Sequence, residues 1–324
     1  MPAISVIICT HNPREDYLRR VLDALKAQTL PKEHWELLLM DNASTERLAD
    51  VWDLSWHRHA RHLREDELGL TPARVRGIQE SLAELLVFVD DDNVLASDYL
   101  ENIMRLNAAR PWVGVWSAGE IEPNYENQPA VWLGPFLRFL ALNSRPREVW
   151  SNDYNSGLLP IGAGMSLQKA VAAKYARQVQ GSSLGRSLDR VGSSLFAAGD
   201  TNIGLCACEM GLACGHAPTL RVVHLIPRRR TQSHYLIRLA RDVLRSSRVL
   251  YLGHGLLKLS RVRVNGEIAL GLFRLPWSLV RHGPGLALLG MVSLWADWLA
   301  LGDYNRLCKS AGRDSAKQKR FRPE

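Results

Sequence analysis

The stretch that decides the fold is LLVFVDDDNV, residues 85–94. Its first five residues are all apolar, which is typical of a strand buried on both faces of a sheet. Three acids, Asp90, Asp91 and Asp92, follow at once. Such a cluster of carboxylates requires a compensating positive charge, and hard oxygen ligands favour Mg²⁺ or Mn²⁺. The alternative interpretation is an acidic surface turn.

Alternation along an extended chain gives the three acids different surroundings. Asp90 and Asp92 project to one side and Asp91 to the other, if the strand geometry continues. Asp90 and Asp92 can therefore reach one metal ion together, directly or through water. Asp91 is predicted to be the most replaceable of the three.

Apolar strands alternate with helical patterns on both sides of this stretch. Strands are predicted at 4–9, 35–40, 85–89 and 113–118, and helices begin at Asn12–Pro13, Thr71–Pro72 and Ser97. This alternation predicts βαβ units and an α/β fold with a mostly parallel, Rossmann-like sheet flanked by helices. Ligands bind at the carboxyl ends of such strands, so Thr10, Asn12, Asp41 and the acid cluster should share one rim.

The second half of the chain is less regular. The segment 119–157 is rich in Trp, Pro and Asn, and long irregular segments tend to be lids or binding loops. Further elements are predicted as a strand at 158–167, helices at 168–178 and from Asp200, a strand at 220–226, a basic turn at 227–230 and a helix at 232–250. We expect one domain over 1–250, with a nucleotide-binding half at 1–118 and an acceptor half at 119–250.

The segment 251–304 is apolar but is interrupted by charged residues and prolines, so it is not a clean membrane span. It predicts either interfacial helices over 266–301, with Trp277, Trp295 and Trp298 near lipid headgroups, or a helical hairpin packed on the domain or in a homo-oligomer interface. Residues 305–324 read as a solvated basic tail.

The chain carries 41 Lys and Arg against 33 Asp and Glu, a formal net charge of +8. This excess favours a polyanionic partner, namely nucleic acid, a phosphorylated small molecule or an anionic membrane, over the plainer alternative of a basic surface. Five cysteines without scaffold spacing, and an N-terminus without a signal-peptide pattern, predict a cytoplasmic setting. Cys206, Cys208, Cys214 and His216 resemble zinc ligands only on paper, because residues two apart on a helix diverge.

Mg²⁺ held by few carboxylates usually also takes phosphate oxygens, so a nucleoside diphosphate is the expected ligand. Asp41 can accept hydrogen bonds from a base or ribose, and Arg74, Arg228 and Arg230 can meet phosphate charge. The sequence contains neither GxGxxG nor GxxxxGK[ST]. Metal and arginine must therefore hold the diphosphate.

A set of short segments in one order resembles the family 2 glycosyltransferases of GT-A fold over about residues 3–250. The segments are SVIICTHNP, LLLMDNAST, GLTPARVRGI, VFVDDDNVLASDYL, PIGAGMSLQK, AAGDTNIGL and HLIPRRR. The resemblance implies an inverting, Mg²⁺- or Mn²⁺-dependent transfer of a sugar from a nucleotide-diphosphate sugar, of UDP or dTDP type. The acceptor would be a hydroxyl of a glycan or lipid-linked molecule at the inner face of the membrane.

The resemblance also implies roles for single residues. Thr10, Asn12 and Asp41 would line the nucleoside pocket, Arg74 would support the base or diphosphate, and Asp90 and Asp92 would be the D-x-D ligands. GDTN resembles the family's Glu-Asp-Thr-Asp segment and places the catalytic base on Asp200, although Gly199 and Asn202 depart from that pattern. Alternatives remain: Asp200 as a helix N-cap, Asp153 or Asp189 as base, and His224 as a metal or diphosphate ligand or a core histidine.

Two other functional classes fit parts of the sequence. A nucleotidyltransferase also combines an α/β sheet with metal-binding carboxylates, but this chain has no Gly-rich, Lys-containing loop after the first strand. A basic membrane- or nucleic-acid-associated module explains the charge but not the acids. Trp112, Trp116, Trp132 and Trp150 are predicted to cover the acceptor or to be core aromatics, and WHRHARH, 56–62, to be a solvated connection.

Overall fold

The computed structural model describes residues 1–182, 185 and 188–320, with the backbone alone from residue 309 on. The chain divides into two compact units. The first comprises Met1–Gln128, Leu140–Arg177 and Gly199–Thr231; the second comprises Pro129–Phe139, Gln178–Ala198 and the chain from Gln232 on. The domain limits given above stay predictions, and part of the basic tail lies outside the described residues.

A ten-stranded sheet forms the core of the first unit. Its strands are β1 Ile4–Thr10, β2 Trp35–Asn42, β3 Ala60–Glu65, β4 Leu85–Val89, β5 Asn93–Leu95, β6 Val113–Tyr125, β7 Asn143–Ser144, β8 Val149–Ser151, β9 Ser166–Gln168 and β10 Ala213–Ile226. The order is β3-β2-β1-β4-β9-β6-β10-β5, with β7 on β6 and β8 on β10. Neighbours among β3, β2, β1 and β4 pair in parallel, as do β6 and β10. Strands β5, β7, β8 and β9 pair antiparallel to their neighbours.

Helices connect these strands. They are α1 Glu15–Lys26, α2 Leu48–Val51, α3 Leu70–Glu80, α4 Tyr99–Ala109, α5 Lys169–Gln180 and α6 Gly199–Glu209. Segments of 3₁₀ helix lie at Lys32–His34, Val131–Leu140, Tyr154–Ser156 and Arg228–Thr231. The predicted α/β fold with a mostly parallel sheet is confirmed.

The central strands are buried because their sequences are apolar on both faces. Every residue of β2 and β4 is buried, and β1 lies between them in register, with Ile4 opposite both Trp35 and Leu85. In α1, apolar residues at helical spacing face this core, and Leu18, Val21 and Leu25 are fully buried. The strand ends that carry the candidate site are therefore held by a buried apolar core.

All three predicted helix starts are displaced. Helix α4 has Asp98 as its N-cap, one residue after the predicted Ser97. Asn12 does not cap α1; the N-cap is Arg14, and Asn12 has a left-handed backbone with φ 47°. Helix α3 follows Gly69, whose φ of 146° an L-residue rarely adopts, and Thr71 lies inside the first turn. Asn tolerates left-handed backbone, so it serves a turn here instead of a cap.

Three further predictions on the strands need correction. The strand predicted at 113–118 continues to Tyr125, and of the strand predicted at 158–167 only Ser166–Gln168 forms. The histidine run is not a solvated connection: it leads into edge strand β3, and His57 is buried with its ring 4.1 Å from that of Trp35. Burial lowers the pKa of His57 to about 4, as expected of a core histidine.

The second unit contains α7 Ser233–Gly253 and α8 Arg261–Arg320. By length and composition alone, Arg261–Cys308 is long and apolar enough to cross a membrane. However, α8 is broken at Gly283, with φ 77° and ψ 170°, into arms at 261–282 and 284–320. A Cβ on Gly271 would lie 2.7 Å from Leu294, so the two arms fold back on each other as a helical hairpin.

The second arm of the hairpin packs on α7 through apolar and ionic contacts. Ala287, Val292 and Ala296 are buried. Arg245 of α7 donates to Asp303 at 2.7 Å, and Arg248 donates to Ser293 at 2.8 Å and to Asp297. Paired, half-buried charges of this kind fix the register of two helices.

Candidate active site

Polar side chains meet at the carboxyl ends of β1, β2 and β3; the strand pattern predicted this rim for β1 and β2, and β3 adds to it. Thr10 of β1 pairs in register with Asp41 of β2, and Asp41 pairs with Arg64 of β3. The hydroxyl of Thr10 also donates to the carboxylate of Asp91, just beyond β4. One rim therefore carries residues from four neighbouring strands.

Asp41 is buried and fully engaged by the protein. Its carboxylate accepts hydrogen bonds from the backbone N–H groups of Ser44 at 2.9 Å and Leu48 at 3.2 Å, and from Arg64 at 2.9 Å. Burial raises the pKa of Asp41, but the hydrogen bonds from Ser44 and Leu48 and the charge of Arg64 outweigh it, so the pKa lies below its ordinary value. Asp41 shapes the loop at 42–48, and its predicted contact with a nucleotide stays a prediction.

Asn12 joins two loops of the same rim. Its backbone N–H donates to the hydroxyl of Ser44 at 3.0 Å, and its side-chain oxygen accepts from the N–H of Thr45 at 2.9 Å. The left-handed backbone of Asn12 places both groups toward the turn after β2. Asn12 itself is exposed at the rim, where a bound ligand can reach it.

The three acids of the cluster have different environments. Asp90 is half-buried, and its carbonyl accepts from the N–H of Asn93 at 3.1 Å, which closes a turn into β5. Asp91 accepts from Thr10 and so ties the ends of β4 and β1 together. That contact argues against the prediction that Asp91 is the most replaceable of the three acids. The prediction itself awaits a test by replacement of each acid.

Asp92 is buried against a histidine and an arginine from the end of β10. Arg230 Nη1 donates to Asp92 Oδ2 at 2.7 Å and to His224 Nε2 at 3.3 Å, and these two acceptors lie 3.5 Å apart. His224 Nδ1 is buried and makes no hydrogen bond to the described residues. A carboxylate oxygen and an imidazole nitrogen thus converge on one point, which the guanidinium of Arg230 takes.

Two side chains, Asp92 and His224, are placed so that they could bind a divalent cation together. No three His, Cys, Asp or Glu side chains in the described part of the chain are grouped so that they could hold a metal ion. Of the predicted set Asp90, Asp92 and His224, only Asp92 and His224 converge. Two protein ligands suffice where substrate phosphates complete the coordination, as is usual for Mg²⁺.

Asp200 lies in the first turn of α6 and pairs with a buried arginine. Its carboxylate forms an ion pair with Arg74 of α3, with Nη1–Oδ1 at 2.7 Å. Arg74 is buried and lies over the ring of Phe88, 5.5 Å from its centroid. The prediction put Arg74 beside a base or diphosphate; the structure places it on Asp200, so it positions that carboxylate.

Gly162 limits the space around Asp200. A Cβ at residue 162 would overlap both carboxylate oxygens of Asp200. We expect Gly162→Ala to displace this carboxylate and to lower the activity that depends on it by about tenfold or more, since a displacement of 1 Å can cost about 100-fold. Turnover should be compared with Gly134→Ala, where the added methyl meets nothing within 4 Å. Equal turnover of the two variants, at equal melting temperature, would contradict the prediction that the carboxylate of Asp200 takes part in catalysis.

Glu126 is a rim residue that the sequence did not reveal. It accepts from Arg14 at 2.6 Å and Tyr17 at 3.0 Å, and its second oxygen accepts from the N–H of Arg228 at 2.8 Å. The bond from Arg228 and that from Arg14 lower the pKa of Glu126. Glu126 thereby anchors the basic turn after β10, whose Arg228 and Arg229 are exposed. It lies in an irregular segment, where no periodicity points to it.

The remaining candidates, four tryptophans and two aspartates, have different local environments. Trp112 and Trp150 pack with ring centroids 6.3 Å apart, Trp116 is a buried core residue, and Trp132 belongs to the second unit. Trp112 and Trp150 therefore form an exposed aromatic pair, whereas Trp116 is a core aromatic. Asp153 accepts from the N–H of Asn155 as the N-cap of a 3₁₀ turn, and Asp189 is buried in the second unit.

Part of the chain is similar to a known family. Residues 5–149 match the sequence model described as Glycosyl transferase family 2. The chain is 32% identical over 108 residues to polypeptide N-acetylgalactosaminyltransferase 8 of Drosophila melanogaster, covering 32% of this chain and 18% of that protein. It is 31% identical over 104 residues to glycosyltransferase AglE of Haloferax volcanii, covering 31% and 34%. The match with AglE, like the others, spans at most about a third of the relative.

Solved structures also resemble the chain. Residues 1–349 of TarS from S. aureus superpose with a TM-score of 0.46 at 16% identity, covering 87% of this chain and 74% of that one. The same part of TarS has been solved in complex with UDP-GlcNAc.

Proposed function

From the premise that residues 5–149 belong to glycosyl transferase family 2, we propose that this protein transfers a sugar from a nucleotide-diphosphate sugar to an acceptor hydroxyl, with inversion. The observation that carries the proposal is the pairing of two acids with arginines in the first unit. Asp92 is held by Arg230 beside His224, and Asp200 is held by Arg74. The two acids suit different tasks, one at the leaving diphosphate and one at the attacking hydroxyl.

Asp200 is the general base of the proposed reaction. It accepts the proton of the acceptor hydroxyl while that oxygen forms a bond to the anomeric carbon. The bond from the anomeric carbon to the diphosphate oxygen breaks, and the electron pair leaves with the nucleoside diphosphate. Arg74 keeps the carboxylate in one orientation, which general-base catalysis requires.

The leaving diphosphate is held at the end of β10. Asp92 and His224 are the residues that would bind Mg²⁺ or Mn²⁺, which neutralises charge on the diphosphate when bound. Arg228 and Arg230 supply further positive charge from the turn that Glu126 anchors. Thr10, Asn12 and Asp41 form or shape the rim that takes the nucleoside, and Asp90 and Asp91 border it.

The donor is proposed to be a UDP- or dTDP-sugar, and the acceptor a glycan or lipid-linked hydroxyl at the cytoplasmic face of the membrane. A nucleotidyltransferase would use a nucleoside triphosphate and release pyrophosphate instead. No feature of the described site favours that reaction. A basic binding module without catalytic activity would not explain why the two acids are paired with arginines.

A nucleotide panel tests the proposal. We expect UDP or dTDP to raise the melting temperature of the full chain more with Mn²⁺ than without it, and more than nucleoside triphosphates do. Incubation with the matching sugar nucleotide should release the nucleoside diphosphate. Pyrophosphate release from a triphosphate, or binding of none of these nucleotides, would refute the proposed transfer.

A further inference from the structure

The first arm of the α8 hairpin, 261–282, exposes one continuous apolar stripe. Its members recur at spacings of three and four residues, so they lie on one side of the helix. They are Val262, Gly266, Ala269, Leu270, Phe273, Trp277 and Val280. Val262, Phe273 and Val280 are 85%, 84% and 90% exposed. We call this set the apolar stripe; from Val262 to Val280 it runs about 27 Å along the helix.

The opposite side of the same arm is already used. Val264 is buried, and Gly271 lies against Leu294 and Met291 of the second arm. The hairpin is therefore held together by one face of the arm, while the apolar stripe is left to solvent. A stripe of this size on a soluble protein marks an interaction surface.

Basic residues border the apolar stripe along one edge. Arg263, Arg274 and Arg281 follow at spacings of eleven and seven residues, which places them in one row, and all three are exposed. The guanidinium of Arg281 lies 4.8 Å from the ring centroid of Trp277. Glu267, the one acid among residues 261–282, is paired with Arg263 at 2.8 Å.

We propose that the apolar stripe and its arginine row bind the surface of an anionic lipid bilayer, with the first arm lying in the plane of the headgroups. Arginines beside an apolar face match lipid phosphates above acyl chains, and Trp277 suits the boundary between them. A second copy of the chain fits less well, because two such faces would bring arginine rows together without acids to pair them. The inference is independent of the proposed sugar transfer.

The positions of the charged residues favour a first arm that lies parallel to the membrane surface. Arg274 falls within the apolar length of the arm, so a spanning orientation would carry it into hydrocarbon. In the second arm, the ion pairs of Asp297 and Asp303 with α7 would have to enter it too. An arm lying at the interface keeps every one of these groups at the level of phosphate and water.

Vesicle sedimentation of the full chain tests the inference. We expect binding to phosphatidylcholine vesicles containing about one third phosphatidylglycerol, and much weaker binding to phosphatidylcholine alone. Val280→Asp and Phe273→Asp should each lower binding about tenfold or more. Arg274→Gln should lower it about fivefold on anionic vesicles alone. Val51→Asp, at an exposed valine of the first unit, is the control and should bind as the unaltered chain does.

Each other outcome overturns the inference. Binding that the stripe variants leave unchanged would place the lipid contact elsewhere, and no binding to either vesicle would remove it. A dimer in solution that Val280→Asp dissociates, measured by light scattering, would assign the apolar stripe to a second copy. Because the readout is binding, its failure is distinct from failure of the sugar transfer.

Discussion

Replacing Asp200 by Asn is expected to lower sugar transfer by about 10²- to 10⁴-fold, the usual contribution of a general base. That loss corresponds to about 3 to 5 kcal/mol of transition-state stabilisation. An amide keeps the volume and the oxygen that faces Arg74, but it cannot take the proton of the acceptor hydroxyl. The affinity for the nucleoside diphosphate should change little. Turnover and nucleotide affinity, measured separately, check both halves of the prediction.

The surroundings of Asp200 make this replacement informative. Arg74 is buried and ion-paired with Asp200, so a variant that lost the pair could destabilise the protein instead of the reaction. The melting temperature must therefore be measured beside turnover. Asp153→Asn is the matched control, because Asp153 caps a 3₁₀ turn and is the alternative base from the sequence. If Asp153→Asn lost activity and Asp200→Asn kept it, the base would have to be reassigned.

The sequence predicted the centre of the fold because that centre is coded locally. β1, β2 and β4 are apolar on both faces, and a buried parallel strand needs nothing else to be recognised. The positions of Thr10, Asp41 and Asp91 at one rim follow from strand direction alone. Edge strand β3 was missed because its histidine and two arginines leave no apolar run, although it pairs with β2 along six residues.

The partners of the site residues could not be predicted in the same way. Asp92 lies 138 residues from Arg230, and Arg74 lies 126 residues before Asp200. Contacts of such separation depend on tertiary packing, and no local pattern encodes them. The sequence predicts that Arg74 and Arg230 bind phosphate, whereas in the structure each forms an ion pair with a carboxylate. Glu126 shows the same limit, since its task is defined by Arg14 and Arg228, which lie far from it along the chain.

Replacing Asp92 by Asn should weaken Mn²⁺ binding in the presence of a nucleoside diphosphate by about 100-fold or more, because loss of a ligand should cost at least as much as loss of an outer-shell partner. Arg230→Gln should instead raise the affinity for Mn²⁺. Arg230 holds the point on which Asp92 and His224 converge, and its removal leaves that point to an added cation. The same variant should bind the nucleoside diphosphate more weakly, because it lacks a positive charge beside the phosphates.

Opposite changes in two affinities distinguish a metal-binding role for Asp92 from a purely structural one. Titration calorimetry with Mn²⁺ alone, and then with nucleoside diphosphate, measures both. Asp98→Asn is the matched control, because Asp98 pairs with Arg221 at 3.4 Å in an exposed ion pair and should leave both affinities unchanged. If Asp92→Asn bound Mn²⁺ as well as the unaltered protein, Arg230 would be the permanent partner of Asp92. The diphosphate would then be neutralised by arginine alone, and the transfer would proceed without added metal.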